Sequence, residues 1–149
     1  WRELNLKLRG KYQVIKKTAL PDGDWQFQLS ALDRFVDPEK PTDAMVSKRV
    51  TVDNTPPEVF EVKRATGVLS FRVVDERSPL QRVEWSANLE EFKPLTPVDG
   101  LLDSRDELFS FSIPAKTPFI ILHVFDDQGN DVFATLRVEE IPRGENRPR

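Results

Sequence analysis

Few residues of this chain could carry out chemistry. The 149 residues include a single histidine, His123, and no cysteine. A thiol nucleophile, a thiolate zinc site and a multi-histidine metal centre are therefore excluded. Histidine is the side chain that titrates nearest neutral pH, but no nucleophile-elbow, phosphate-loop or dinucleotide motif accompanies His123. We expect a structural role for His123 and predict that the chain is not an enzyme.

Oxygen-bearing side chains at predicted strand ends are the remaining ligand candidates. They are Asp33, Asp37, Asp53, Asn54, Asp126, Asp127, Asn130 and Asp131. Carboxylate and carbonyl oxygens are the ligands that calcium uses. The chain has no Asp-x-Asp-x-Asp-Gly loop, however, and Asx turns and solvated edges account for such residues better than calcium does. The prediction is no cofactor, with calcium as the open alternative.

Tryptophans offer a second binding chemistry. Trp1, Trp25 and Trp85 could form a platform on which sugar rings stack. Trp25 belongs to the apolar, inward-facing set of its predicted strand, which argues against such a platform. Carbohydrate binding is therefore kept as an alternative function.

Composition excludes further partner classes. The formal net charge of −3 gives no electrostatic footprint for nucleic acid. No apolar run approaches the roughly 20 residues of a membrane-spanning helix, so no membrane span is predicted. The first residue is Trp1, and we expect that a leader or a larger N-terminal part precedes it.

The elements that must position these residues are strands, because apolar and polar residues alternate with a period of two. Trp25 to Ala31 and Phe109 to Ile113 alternate most clearly. Further candidates are Tyr12 to Thr18, Ser47 to Val52, Val59 to Arg64, Val68 to Val74, Arg82 to Ser86, Phe119 to Phe125 and Val132 to Val138. Turn residues such as Pro21-Asp22-Gly23 separate them. The fold class predicted is all-β, a tandem antiparallel β-sandwich.

A boundary is predicted at Asp53, Asn54, Thr55, Pro56 and Pro57. Two consecutive prolines donate no backbone hydrogen bond and fix φ, so a sheet ladder should not run through them. We interpret these five residues as an interdomain linker; a proline-bearing loop within one domain is the alternative. The predicted domains are a first module over residues 1–55, a complete seven-strand module over 56–141 and a flexible tail over 142–149.

The first module is predicted to be incomplete. The order of strand, proline turn, strand ending in aspartate, loop and strand occurs on both sides of the linker. The second copy has three additional strands at its start that have no counterpart after Trp1. We expect the missing strands to come from an upstream part of the same protein or from a partner chain.

The junction Val52-Asp53-Asn54-Thr55-Pro56-Pro57 resembles the junctions between bacterial immunoglobulin-like or fibronectin type III-like modules. Leu20-Pro21-Asp22-Gly23 and Asp126-Asp127-Gln128-Gly129-Asn130 are similar to their turns before and after strand F. The resemblance implies a structural or protein-docking role at the C-terminus of a larger extracellular, cell-surface or periplasmic bacterial protein. A carbohydrate- or calcium-binding accessory module of an upstream enzyme is the alternative that it leaves open.

An interface is predicted on the strand at Phe119. If Ile120, Leu122 and Val124 face the core, then Phe119, Ile121, His123 and Phe125 lie on the opposite face. Three apolar residues on the outer face of one strand are unusual for a lone soluble module. Alternatively, the register differs or neighbours such as Phe133 or Trp85 cover them. The oligomeric state is left open.

Overall fold

The structure is a computed structural model of the 149-residue chain, and it describes residues 15, 19–29, 45–65, 67–115 and 117–138. The chain divides into two compact units, Trp1–Asn54 and Thr55–Arg149. The described residues form antiparallel strands and turns, so the all-β prediction is confirmed. Among these residues there is no helix of the length and apolar character needed to cross a membrane.

Four short strands are described in the first unit: β1 (Gly23–Trp25), β2 (Gln28–Leu29), β3 (Met45–Val46) and β4 (Val50–Val52). β1 pairs with β4, and β2 pairs with β3. The continuous strand predicted from Trp25 to Ala31 is therefore wrong, because it is interrupted at Gln26 and Phe27. The strand predicted from Ser47 to Val52 is shorter than predicted and begins at Val50. At the interruption the Ser47 hydroxyl accepts the hydrogen bond from Phe27 N–H at 2.8 Å, so a side chain replaces a ladder partner. The strand predicted at Tyr12 and the residues Asp33 and Asp37 lie outside the described residues.

The second unit contains seven strands. They are β5 (Glu58–Ala65), β6 (Val68–Val74), β7 (Leu80–Ser86), β8 (Lys93–Pro94), β9 (Asp106–Ser112), β10 (Phe119–Asp126) and β11 (Asp131–Arg137). One sheet has the order β5-β6-β9, and the other has the order β11-β10-β7-β8. Six of these strands match strands predicted from the sequence. Strand β8 was not predicted, because its two residues are too few to show a period.

The core of the second unit is built from the inward residues of both sheets. Nine apolar side chains form it: Leu69, Phe71, Val73, Leu80, Val83, Phe109, Ile120, Leu122 and Val124. Phe71 and Phe109 face each other across the β6–β9 pair, and their rings stack with centroids 5.3 Å apart. Full burial of such a side chain stabilises the fold by about 1.5–3 kcal/mol. This shared core makes the second unit a β-sandwich-like domain.

Candidate interaction surface

Strand β10 fixes the position of the predicted interface residues. Successive side chains of a strand point to opposite faces. Ile120, Leu122 and Val124 are fully buried in the core, as predicted. Their neighbours therefore lie on the outer face of the four-stranded sheet: Phe119, Ile121, His123 and Phe125. On the neighbouring strands, the register brings Glu84 and Phe133 directly opposite His123.

His123 lies between two phenyl rings on this outer face. Its ring stacks on Phe133 with centroids 3.7 Å apart and an interplanar angle of 19°. Phe125 lies on the other side, with a centroid distance of 3.9 Å and a tilt of 45°. His123 Nε2 is 2.8 Å from Asp131 Oδ2, within hydrogen-bond distance. These contacts hold the imidazole in one place, and the structural role expected from the sequence stays a prediction.

Phe92 completes the group of rings. It makes edge contacts with His123 and Phe133, at centroid distances of 6.0 and 6.2 Å. We call Phe92, His123, Phe125 and Phe133 the aromatic patch. Phe133 is 57% exposed, although it packs against two other rings. Because it lies in a contiguous group of rings, Phe133 belongs to the kind of apolar surface patch that marks contact sites for other molecules.

Charged side chains border the aromatic patch. The Arg82 guanidinium carbon lies 3.9 Å from the Phe125 ring centroid, a cation–π geometry. Arg82 Nε also lies 3.8 Å from Glu84 Oε1, and about half of the Arg82 side chain is exposed. Asp131 contributes a carboxylate on the opposite side of His123. An aromatic centre with an arginine at its border matches the composition of protein interfaces.

Two predicted interface residues contribute less exposed surface. Ile121 is buried, with 6% of its surface exposed, and Phe119 is 38% exposed at the start of β10. Arg82, Phe92 and Phe133 were not among the interface residues predicted from the sequence. The turn after Asp126 could have revealed Phe133, because a hairpin turn fixes the register and hence which residue lies opposite His123.

The turn between β10 and β11 is closed by Asp126 and Asn130. Asp126 is fully buried. Its Oδ1 accepts a hydrogen bond from Asn130 N–H at 2.7 Å, and its Oδ2 accepts one from Asn130 Nδ2 at 2.6 Å. Gly129 has a φ of 80°, a conformation that favours glycine. Two of the calcium candidates in this segment, Asp126 and Asn130, therefore have a clear role in the turn.

Asp75, which the sequence analysis did not single out, lies beside Asp126. Carboxylate oxygens of the two residues lie within 4.8 Å of each other, and both side chains are buried. Asp75 Oδ1 accepts hydrogen bonds from the backbone N–H groups of Arg77 and Ser78 at 2.8 and 2.7 Å. A hard cation bound beside two buried carboxylates this close would offset their mutual repulsion.

The linker residues lie between β4 and β5 in the chain, and the two units divide between Asn54 and Thr55. Asp53 is fully buried, and Pro57 is also buried. Within the first unit, Asn54 N–H and Nδ2 both donate to Asp22 Oδ1 at 2.8 Å. The participation of Asp53 and Asn54 in a calcium site stays a prediction.

Trp85 lies beside a small pocket of about 190 Å³ that is also lined by Ala87, Asn88, Glu91, Lys93 and Pro114. Its ring packs on Phe111 at a centroid distance of 4.9 Å, and Lys93 Nζ lies 5.8 Å from the ring. Trp1 lies outside the described residues. Carbohydrate binding stays a prediction.

Comparisons with protein-family models, with curated proteins and with solved structures gave no match to this chain.

Proposed function

We propose that the chain is a non-catalytic interaction module, of the immunoglobulin-like or fibronectin type III-like kind, that docks onto another protein through its aromatic patch. Seven antiparallel strands in sheets of three and four support the family assignment, since seven is the strand number of the constant-type immunoglobulin sandwich. The resemblance of the linker further supports placing the chain in an extracytoplasmic bacterial protein. The docking partner is another part of that protein or a partner chain.

The observation that carries this proposal is the exposure of Phe133 above a preformed aromatic support. The Phe133 ring is 57% exposed, yet its position is fixed by His123 and Phe92. A rigid aromatic side chain loses little conformational entropy when a partner covers it, so burial of its apolar surface adds directly to affinity. Phe133 is therefore the expected hot spot.

The charges at the border define the chemistry of the partner. Arg82 has five N–H donors in a planar fork, and its side chain is half exposed beside Phe125. It can keep its contact with Glu84 and also bind a carboxylate of the partner. The partner is thus a protein surface with an apolar side chain for Phe133 and an acidic side chain for Arg82.

Photocrosslinking followed by affinity measurement tests the proposal. A benzoylphenylalanine placed at position 133 in the full chain, in cells of the source organism, should crosslink a defined protein. The same probe at Phe60, which is 44% exposed on the other sheet, should not. The crosslinked protein, once purified, should bind the unmodified chain, and Phe133→Ser should weaken the Kd at least about tenfold.

Matched variants make the outcome decisive. Phe60→Ser should leave the Kd unchanged within about twofold, since exposed substitutions outside an interface have small effects. Equal crosslinking from positions 60 and 133, or equal loss of affinity in the two serine variants, would refute docking through the aromatic patch. Absence of any crosslink specific to position 133 would refute it as well.

Calcium binding is a second candidate function, favoured by the proximity of Asp75 and Asp126. Calcium sites of extracellular modules have a Kd of about 10⁻⁴–10⁻³ M. At a calcium concentration of about 100 times the Kd, such a site would stabilise the folded state by about 2.7 kcal/mol. The melting temperature should therefore rise with CaCl₂ and return to its starting value with EDTA.

Asp75→Asn is the discriminating variant for the calcium site. It keeps the Oδ1 acceptor for the Arg77 and Ser78 amides but removes the negative charge. We expect this variant to lose the calcium-dependent rise in melting temperature. Asp103→Asn, at an exposed aspartate, should keep the rise. An unmodified chain whose melting temperature does not respond to calcium would refute this candidate.

A further inference from the structure

Strand β11 is an edge strand with little protection against pairing among the described residues. Edges are normally blunted by short strands, charged side chains, proline, bulges or covering loops. In the second unit, β8 has two residues, one of them Pro94. β5 carries a bulge between Phe60 and Lys63, with Glu61 at a φ of 49°. The edge of β9 is covered where Val98 N–H donates to Leu108 O at 2.8 Å.

Along β11 no proline or bulge occurs, and its charged residues, Asp131 and Arg137, lie only at its two ends. Its seven residues pair with β10 in an unbroken register, and among the described residues no strand pairs with its other side. Its core-facing side chains are only partly buried: Val132, Ala134 and Leu136. A second strand placed along this edge would cover them.

The hydrogen-bond pattern identifies the backbone groups that point outward. Asp126 N–H donates to Asn130 O at 3.1 Å, and Val138 N–H donates to Pro118 O at 2.8 Å. In antiparallel pairs the directly bonded positions alternate. Even-numbered residues of β11 therefore bond to β10. The N–H and C=O groups of the odd-numbered residues point away from it: Asp131, Phe133, Thr135 and Arg137.

The sequence of β11 is complementary to itself in the antiparallel direction. When two copies of Asp131-Val-Phe-Ala-Thr-Leu-Arg137 are aligned about Ala134, each Asp131 lies opposite Arg137 of the second copy. Phe133 then lies opposite Thr135, and Val132 lies opposite Leu136 on the core-facing side. Shifting the register by two residues loses the charge pairing at both ends.

This alignment also satisfies the backbone pattern. In this alignment, each odd-numbered residue of one copy lies opposite an odd-numbered residue of the second copy. The outward N–H and C=O groups of the two strands can therefore bond to each other. Ala134 faces Ala134 of the second copy at a position that is not directly hydrogen-bonded, where side chains come closest. A small side chain is what this position requires. The charge pairing of Asp131 with Arg137, the small side chain of Ala134 and the alternation of the backbone hydrogen bonds thus all favour the same register.

We propose that two copies of this chain form a symmetric dimer by antiparallel pairing of β11 with β11, joining their four-stranded sheets into one eight-stranded sheet. The two-fold axis passes between the two Ala134 residues, as an isologous interface requires. This inference does not depend on the proposed docking partner. Because the interface is one strand long, below the area of a stable complex, the dimer should be weak and dependent on concentration.

A disulfide test reads the register directly, since the chain has no native cysteine. Directly opposed residues that are not hydrogen-bonded have Cα atoms about 4.5 Å apart, within the disulfide range of about 4.4–6.8 Å. Ala134→Cys in the full chain should therefore form a dimer under oxidising conditions that dithiothreitol reverses. Thr135→Cys is the matched control, because its two copies would be about 8–9 Å apart. Equal crosslinking of both variants, or no crosslinking of Ala134→Cys, would overturn the proposal.

A charge test provides an independent measurement in sedimentation velocity. The unmodified chain should shift from monomer towards dimer as its concentration rises to about 100 μM. Arg137→Asp places aspartate opposite aspartate at both ends and should weaken the dimer at least about tenfold. Mixing it with Asp131→Arg, which places arginine opposite arginine, should restore dimers that neither variant forms alone. A monomer at every concentration, or a dimer unaffected by Arg137→Asp, would overturn the proposal.

Discussion

At the scale of single residues, Arg72 organises the charges on the outer face of the three-stranded sheet. Arg72 Nε donates to Asp106 Oδ1 at 2.6 Å, and a second nitrogen donates to Asp106 Oδ2. Arg72 also reaches Glu61 Oε1 at 3.4 Å. The hydrogen bonds from Arg72 lower the pKa of Asp106; partial desolvation opposes this effect, and the charge of Arg72 adds to it. The pKa of Arg72 is raised, first by the same hydrogen bonds, so Arg72 stays charged.

This pair predicts a dependence of stability on pH. Because folding lowers the pKa of Asp106, the carboxylate stabilises the folded state above its unfolded pKa of about 3.9. That contribution disappears as the pH falls through the lower pKa of the folded state. Asp106→Asn should therefore lower the melting temperature at pH 7 but not near pH 2.

Asp103→Asn serves as the charge-matched control, because it removes an exposed carboxylate without breaking the contact with Arg72. Its effect on the melting temperature should be small at both pH values. A difference between the unmodified chain and Asp106→Asn that stays constant from pH 7 to pH 2 would contradict the prediction. The experiment belongs at low ionic strength, since both partners are exposed enough for salt to screen them.

At the scale of the element, the β10–β11 hairpin depends on its closing turn. Asn130 satisfies both carboxylate oxygens of the buried Asp126 and also donates through Nδ2 to Thr55 O at 3.3 Å. The turn thus sets the register that brings Phe133 onto His123. A substitution of Asn130 should therefore lower the free energy of unfolding and also disturb the aromatic patch.

Asn130→Ala should lower the free energy of unfolding by about 1–3 kcal/mol, because a buried carboxylate oxygen loses its donor. Urea unfolding of the full chain measures this change. Gln128→Ala, at an exposed position of the same turn, should change it by less than about 0.5 kcal/mol. If Asn130→Ala and Gln128→Ala lower the free energy of unfolding by the same amount, the Asp126–Asn130 contacts do not hold the turn.

The elements of the second unit could be predicted where burial alternates along a strand. Phe109 and Phe111 reveal their inward face because they alternate with Ser110 and Ser112. The strand at Pro94 could not be predicted, because two residues have no period. Phe92 and Asp75 were missed for another reason: their roles come from residues distant in sequence, His123 and Asp126, and alternation carries no information on such contacts.

At the scale of the whole molecule, the two units differ in what they bury. All nine residues of the hydrophobic core belong to the second unit. Among the described residues of the first unit, the buried apolar side chains are Leu20 and Val52. Its described sheets have two strands each, and isolated two-stranded sheets are marginally stable in water. The prediction that the first module lacks strands is therefore open to a direct test.

Separate fragments should behave differently. A fragment of residues 55–149 should unfold in one cooperative transition, because its core is built entirely from its own strands; its free energy of unfolding should fall near the usual range of about 5–15 kcal/mol. A fragment of residues 1–54 should lack a cooperative transition, since its strands have few buried apolar side chains to offset the loss of conformational entropy. Circular dichroism during heating compares the two. A cooperative melt of the shorter fragment, without binding of a hydrophobic dye, would show that the first module is complete without further strands.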